Sequence, residues 1–128
     1  MKVRIAAVSF INTVPLIAGL EKEPSVELTK AVPSSLLTSL KNRAADVALI
    51  PSIDYQLAKF DLRIIGAGAI GSLNQSLTVR LFSKKPIEQI KTLSCDTDSH
   101  TSVILARIVL KELYGIAPEI VRYTWNGG

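Results

Sequence analysis

The feature that most narrows the folds open to this chain is a repeated succession: a short apolar run, a polar turn, then apolar residues at helical spacing. Val3 to Val8 is almost continuously apolar and contains Val and Ile, as a strand buried on both faces requires. Ser9 to Asn12 reads as a turn. Asn12 or Thr13 is placed to cap a helix, Pro15 suits its first turn, and Leu16, Ile17 and Leu20 give it an apolar face. Glu23-Pro24-Ser25 stops that helix, and Val26 to Val32 then alternates apolar and polar residues, the pattern of a half-exposed strand. Pro33-Ser34-Ser35 opens a second helix, in which Leu36, Leu37, Leu40 and Ala44 share one face. Asp46 to Ile50 is a third strand, ended by Pro51, with Ser52 placed to cap a short helix carrying Tyr55 and Leu57.

The same reading continues to the end of the chain. Leu62 to Ala69 and Leu77 to Phe82 are expected strands on either side of a loop from Gly71 to Ser76. Pro86 to Ile90 is a single helical turn and Lys91 to Asp96 a strand. A polar run, Thr97 to Ser102, leads into a helix from Val103 to Tyr114 that stops at Gly115, and Pro118 to Thr124 is a last strand. Strands alternating with helices predict an α/β fold with a mostly parallel sheet and flanking helices. In such folds ligands bind beyond the carboxyl ends of the strands.

Composition removes several classes of function. With 48% hydrophobic and 20% charged residues, the chain has the material for a packed core and is not a disordered segment. Its net charge of +4 is spread evenly along the sequence, not concentrated on a stripe, so no nucleic-acid partner is expected. One cysteine, Cys95, rules out an internal disulfide and a multi-thiolate metal site. The single histidine, His100, is expected as an exposed first-turn residue, not a general base. Asp96 and Asp98 read as loop acids, so no metal is expected. Gly66-Ala67-Gly68-Ala69-Ile70-Gly71 lacks the following helix that a dinucleotide fingerprint needs. The apolar start is too short for a secretory leader, and no run approaches the ~18 apolar residues of a membrane span, so a cytoplasmic protein without membrane contact is expected.

What remains is a collection of uncharged polar residues in the turns that follow strands: Ser9, Asn12 and Thr13; Ser52; Ser72, Asn74, Gln75 and Ser76; and Thr97, Ser99, Thr101 and Ser102. In a parallel sheet those turns share one side, where free helix N–H groups and hydroxyls suit a carboxylate. The competing use of such residues is simple helix capping, the commoner role for any one of them.

Four segments, in order, resemble one family. Val8-Ser9-Phe10-Ile11-Asn12-Thr13-Val14-Pro15-Leu16, Asp46 to Tyr55 (DVALIPSIDY), Leu81 to Ile90 (LFSKKPIEQI) and Asp96 to Val103 (DTDSHTSV) are similar to motifs of the menaquinone-pathway chorismate dehydratases. The resemblance implies a type II periplasmic-binding-protein-like fold, two α/β lobes with the ligand in the cleft. It implies loss of water from chorismate to give an enolpyruvyl ether of meta-hydroxybenzoate, the first step of the futalosine route, with no cofactor. It places Asn12 and Ser72 at the reaction centre and Ser52, Thr101 and Ser102 on the substrate carboxylates; Ser9 and Ser99, from the same turns, join them as substrate-binding candidates. Two departures stand out: Ser72-Leu73-Asn74-Gln75-Ser76 replaces the family's S-D-G-P-V, and His100 replaces its usual arginine, a permanent cation. On this reading residues 1–91 form the first lobe and 92–128 the crossover and start of a second, so the chain is expected to be the N-terminal part of a longer protein. The alternatives are a non-catalytic small-carboxylate-binding module, an inactive fragment of the same fold, and a dihydroxynaphthoate synthase-like enzyme.

Overall fold

A computed structural model describes residues 1–76, 79–96 and 98–123. The chain divides into two compact units, Met1–Gly71 and Ser72–Gly128.

In the first unit, β1 (Val3–Val8) lies at the centre of a three-stranded sheet of order β2-β1-β3, with β2 over Val26–Ala31 and β3 over Val47–Ala48. Both pairings are parallel, and the register sets Ile5 beside Leu28 and beside Val47. The central position explains the continuous apolar run: Ala6, Ala7 and Val8 are all buried. The edge strand β2 keeps the alternating pattern of a half-exposed element. Helix α1 is a single turn, Val14–Ile17, preceded by a 3₁₀ turn at Ile11–Thr13. It is shorter than expected because Ala18 is extended and Gly19 sits at φ 87°, so Leu20 falls in a separate 3₁₀ turn, Leu20–Lys22. Helix α2 (Pro33–Lys41) drives Leu36 against Ala6, Val8 and Ala45, and Leu40, Leu49 and Ile50 border this core.

The amino edge of this sheet is pinned by one pair. Arg4 donates from Nη2 to Asp46 Oδ1 at 2.7 Å and from Nε to Oδ2 at 3.1 Å, while its backbone N–H reaches Oδ2 at 2.9 Å. Its Nη1 also donates to the Arg43 carbonyl at 2.7 Å. These hydrogen bonds and the adjacent guanidinium hold the Asp46 carboxyl at about 2, well below the usual range. Two chain segments 42 residues apart are tied where β3 begins.

In the second unit, β4 (Thr92–Asp96) and β5 (Glu119–Tyr123) pair in parallel, Leu93 opposite Ile120. They are joined by α4 (His100–Tyr114), which buries Leu110 and ends at Gly115 with φ 65°. There the Gly115 N–H donates to the Lys111 carbonyl at 3.0 Å and the Ile116 N–H to that of Leu110 at 3.2 Å, the left-handed stop expected of a glycine. A 3₁₀ turn at Ile87–Gln89 corresponds to the expected helical turn.

The fold is therefore α/β, and every strand pairing among the described residues is parallel. Among the described residues, two expected strands are absent. Residues 62–69 have no strand structure, with Ile64 77% exposed, and 79–82 have none either; Leu77 and Thr78 lie outside the described residues, as does Thr124 of the last strand. A strand exists only when a neighbour takes its backbone hydrogen bonds. β3, the edge strand that precedes residues 62–69 in the sequence, is only two residues long and offers little to pair with, and the outer edge of β2 is left unpaired among the described residues.

Candidate functional site

The parallel order places the turns after β1 and β3 at one edge of the first unit's sheet. Ser9 follows β1, its N–H donating to the Ala31 carbonyl at 2.9 Å; Asn12 lies in the 3₁₀ turn beyond it; and Ser52 opens α3 (Ser52–Leu57) just past β3. All three are exposed. The structure thus brings Ser9, Asn12 and Ser52 to the carboxyl ends of two adjacent strands, where an α/β sheet presents its ligand site.

None of these side chains is used as a helix cap. The 3₁₀ turn is preceded by Phe10, and α1 by Thr13, with no side-chain cap bond at either. Ser52 is not the cap expected from the sequence: the extended Pro51 takes that position, leaving Ser52 as the first helical residue. The polar side chains of Ser9, Asn12 and Ser52 are therefore not consumed by the ordinary role of such residues at helix starts.

In the second unit, Ser99, Thr101 and Ser102 belong to the first turn of α4, beyond the carboxyl end of β4, and all are half-buried. Ser99 is the cap residue of α4, yet its hydroxyl makes no cap bond and donates to Ser102 Oγ at 2.7 Å, which joins the two hydroxyls into a pair. The helix starts at His100, three residues earlier than expected, and His100 is half-buried, not exposed. Thr97 lies outside the described residues. Asp98 donates its N–H to Asp96 Oδ1 at 2.9 Å, so the turn before α4 is closed by Asp96. Cys95 is half-buried, and burial pushes its thiol up. Ser72 lies on the exposed loop that opens this unit, its hydroxyl donating to the Asn74 carbonyl at 2.8 Å.

At the first unit's carboxyl edge one further group, Asp54, escaped the sequence reading, and a second, Thr13, was read only as a turn or capping residue. Asp54, in the first turn of α3, is buried, and Thr13 is fully buried with Oγ1 lacking a hydrogen-bond partner among the described residues. Asp54 carried no signal beyond its position in the DVALIPSIDY segment; Thr13 was visible only as one more polar turn residue.

A concavity of the first unit lies elsewhere. A hollow of about 730 Å³ lined by Leu37, Leu40, Arg43, Asp46 and Phe60 sits by the residues that precede β3, at the opposite edge of the sheet. In the second unit a groove of about 1020 Å³ runs along α4, with Ser99 and Ser102 among mainly apolar residues such as Leu105 and Val109. Among the described residues no group of three or more His, Cys, Asp or Glu side chains is placed to hold a metal ion, and no helix is long and apolar enough to cross a membrane.

A family model described as menaquinone biosynthesis matches residues 3–126. The chain belongs to this family. The match spans nearly all of both units, the carboxyl-edge turns of each included. Membership in the menaquinone-biosynthesis family points to an enzyme of that route, and this is the setting in which the polar turns are to be understood.

Proposed function

We propose that this member of the menaquinone-biosynthesis family is a chorismate dehydratase-type hydro-lyase of the futalosine route, converting chorismate to 3-(enolpyruvyloxy)benzoate. The observation that carries the reading is the family match over residues 3–126. The hydroxyls and amides left unspent by capping support it, because they suit a substrate with two carboxylates.

The chemistry asks little of a strong protein base. The ring C–O bond to the hydroxyl and the adjacent ring C–H bond break, the electron pair of the C–H bond completes an aromatic ring, and the departing hydroxide finally takes up the ring proton, so that one water leaves in all. Aromatisation supplies the driving force. In this proposal Asn12 orients the ring hydroxyl or ether, Ser72 assists movement of the proton or leaving group, and a carboxylate of the substrate accepts the ring proton. Ser9, Ser52, Ser99, Thr101 and Ser102 donate hydrogen bonds to the carboxylates. Residues 1–91 constitute a first lobe of periplasmic-binding type and 92–128 the start of a second. The setting is cytoplasmic, the ligand a small dicarboxylate, and no cofactor takes part.

One observation favours a second reading, a carboxylate-binding module without turnover: the Ser72 hydroxyl is engaged by its own loop at Asn74. Incubation of the chain with chorismate in the presence of a chelator, followed by proton NMR, separates the two. The expected result is loss of the diene signals and growth of aromatic signals, both abolished by Asn12→Ala. Binding without conversion establishes the module, and neither binding nor conversion overturns both readings.

A further inference from the structure

Thr13 is 0% exposed, and its Oγ1 has no hydrogen-bond partner among the described residues. A hydroxyl removed from water and left unpaired destabilises the fold, and valine fills the same volume without that cost. Nothing in the local backbone requires the hydroxyl: the Thr13 N–H already donates to the Phe10 carbonyl at 3.0 Å, and no side-chain bond caps α1. The residue sits directly after Asn12, in a 3₁₀ turn in which a second backbone bond runs from the Val14 N–H to the Ile11 carbonyl. The outer side of that turn is open to solvent, with Ile11 88% exposed. A short turn exposed on its outer side shifts at lower cost than the sheet beneath it.

We propose that Thr13 is a positioning residue whose hydroxyl acquires its partner only when a carboxylate ligand occupies the carboxyl edge of β1 beside Asn12. The turn adjusts over the ligand, the buried hydroxyl becomes paired, and the recovered hydrogen bond favours the bound arrangement. This rests on the reading that the carboxyl edge of β1 binds a carboxylate substrate.

The test compares wild type, Thr13→Val and Thr13→Ser by thermal melting and by calorimetric titration with isophthalate, a non-reacting dicarboxylate. Thr13→Val is expected to melt above wild type and to bind isophthalate about tenfold more weakly, the low end of what an orphaned buried group is worth. Thr13→Ser, which keeps the hydroxyl and loses a methyl, is expected to melt below wild type yet bind within about twofold of it. The proposal is overturned if Thr13→Val melts at or below wild type, if its affinity is unchanged, if Thr13→Ser fails to recover binding, or if wild type does not bind isophthalate. Chorismate conversion by the same proteins keeps the two ideas apart. The expected isophthalate pattern without conversion defeats the dehydratase reading alone. Conversion by wild type and equally by Thr13→Val defeats the positioning role alone.

Discussion

Replacing Leu36 by alanine tests the packing that holds the carboxyl edge in place. Leu36 is 0% exposed and is packed with Ala6, Val8 and Ala45. The substitution removes three carbons, worth ~0.8 kcal/mol each in transfer, or about 2.4 kcal/mol. Ala6 and Ala45 are too short to close the gap, so the residual cavity raises the loss to about 3 kcal/mol. That is a large part of the ~5–15 kcal/mol typical of a folded protein. Leu105→Ala removes the same atoms from a residue that is 54% exposed and is expected to cost under ~1 kcal/mol. Urea titrations followed by far-UV circular dichroism measure both, with Leu36→Met as a near-isosteric control costing less than ~1.5 kcal/mol. A Leu36→Ala loss below ~1 kcal/mol, or equal losses for Leu36→Ala and Leu105→Ala, refutes the placement of the core.

Asp46 has a depressed pKa, so its pairing with Arg4 stabilises the fold fully above the ordinary carboxylate value of 3.8 and loses that contribution as pH falls through about 2. The stability gap between wild type and Asp46→Asn is therefore expected to close over that acid range, and an NMR titration of the Asp46 carboxyl carbon should have its midpoint near the lower value. Gly115→Ala places a Cβ at φ 65° and is expected to cost ~1 kcal/mol by thermal unfolding. Gly68→Ala meets only Leu16 Cδ2, the far end of a flexible side chain, at 2.8 Å, and is expected to stay within ~0.5 kcal/mol of wild type. Because burial raises the Cys95 thiol, Ellman's reagent at pH 8 should react with it more slowly than with free cysteine.

The elements most legible in the sequence are those whose signal is local. The continuous apolar run of β1 marks a central strand, the Leu36–Leu40 face marks the buried side of α2, and Gly115 stops α4 where a left-handed residue is needed. Residues 62–69 carry an equally apolar pattern yet form no strand, because strand formation depends on pairing with another strand, which no periodicity reports. Capping failed for a similar reason. A shift of one position, from Ser52 to the extended Pro51, decides whether a hydroxyl faces the helix N–H groups. At the candidate site the sequence identified the polar turns after β1, β3 and β4, but not that Thr13 is buried while its neighbour Asn12 is exposed. The Arg4–Asp46 tie, spanning 42 positions, had no local trace.

The hydroxyl- and amide-bearing turns are tested most directly by titrating ¹⁵N-labelled protein with 3-(enolpyruvyloxy)benzoate and following the backbone amide signals. Saturable shifts are expected at Ser9 to Thr13, at Ser52 and at Ser99 to Ser102. Shifts confined to the opposite edge of the first unit, around Leu37, Arg43 and Phe60, or no saturable shifts at all, contradict the assignment of these turns to the ligand.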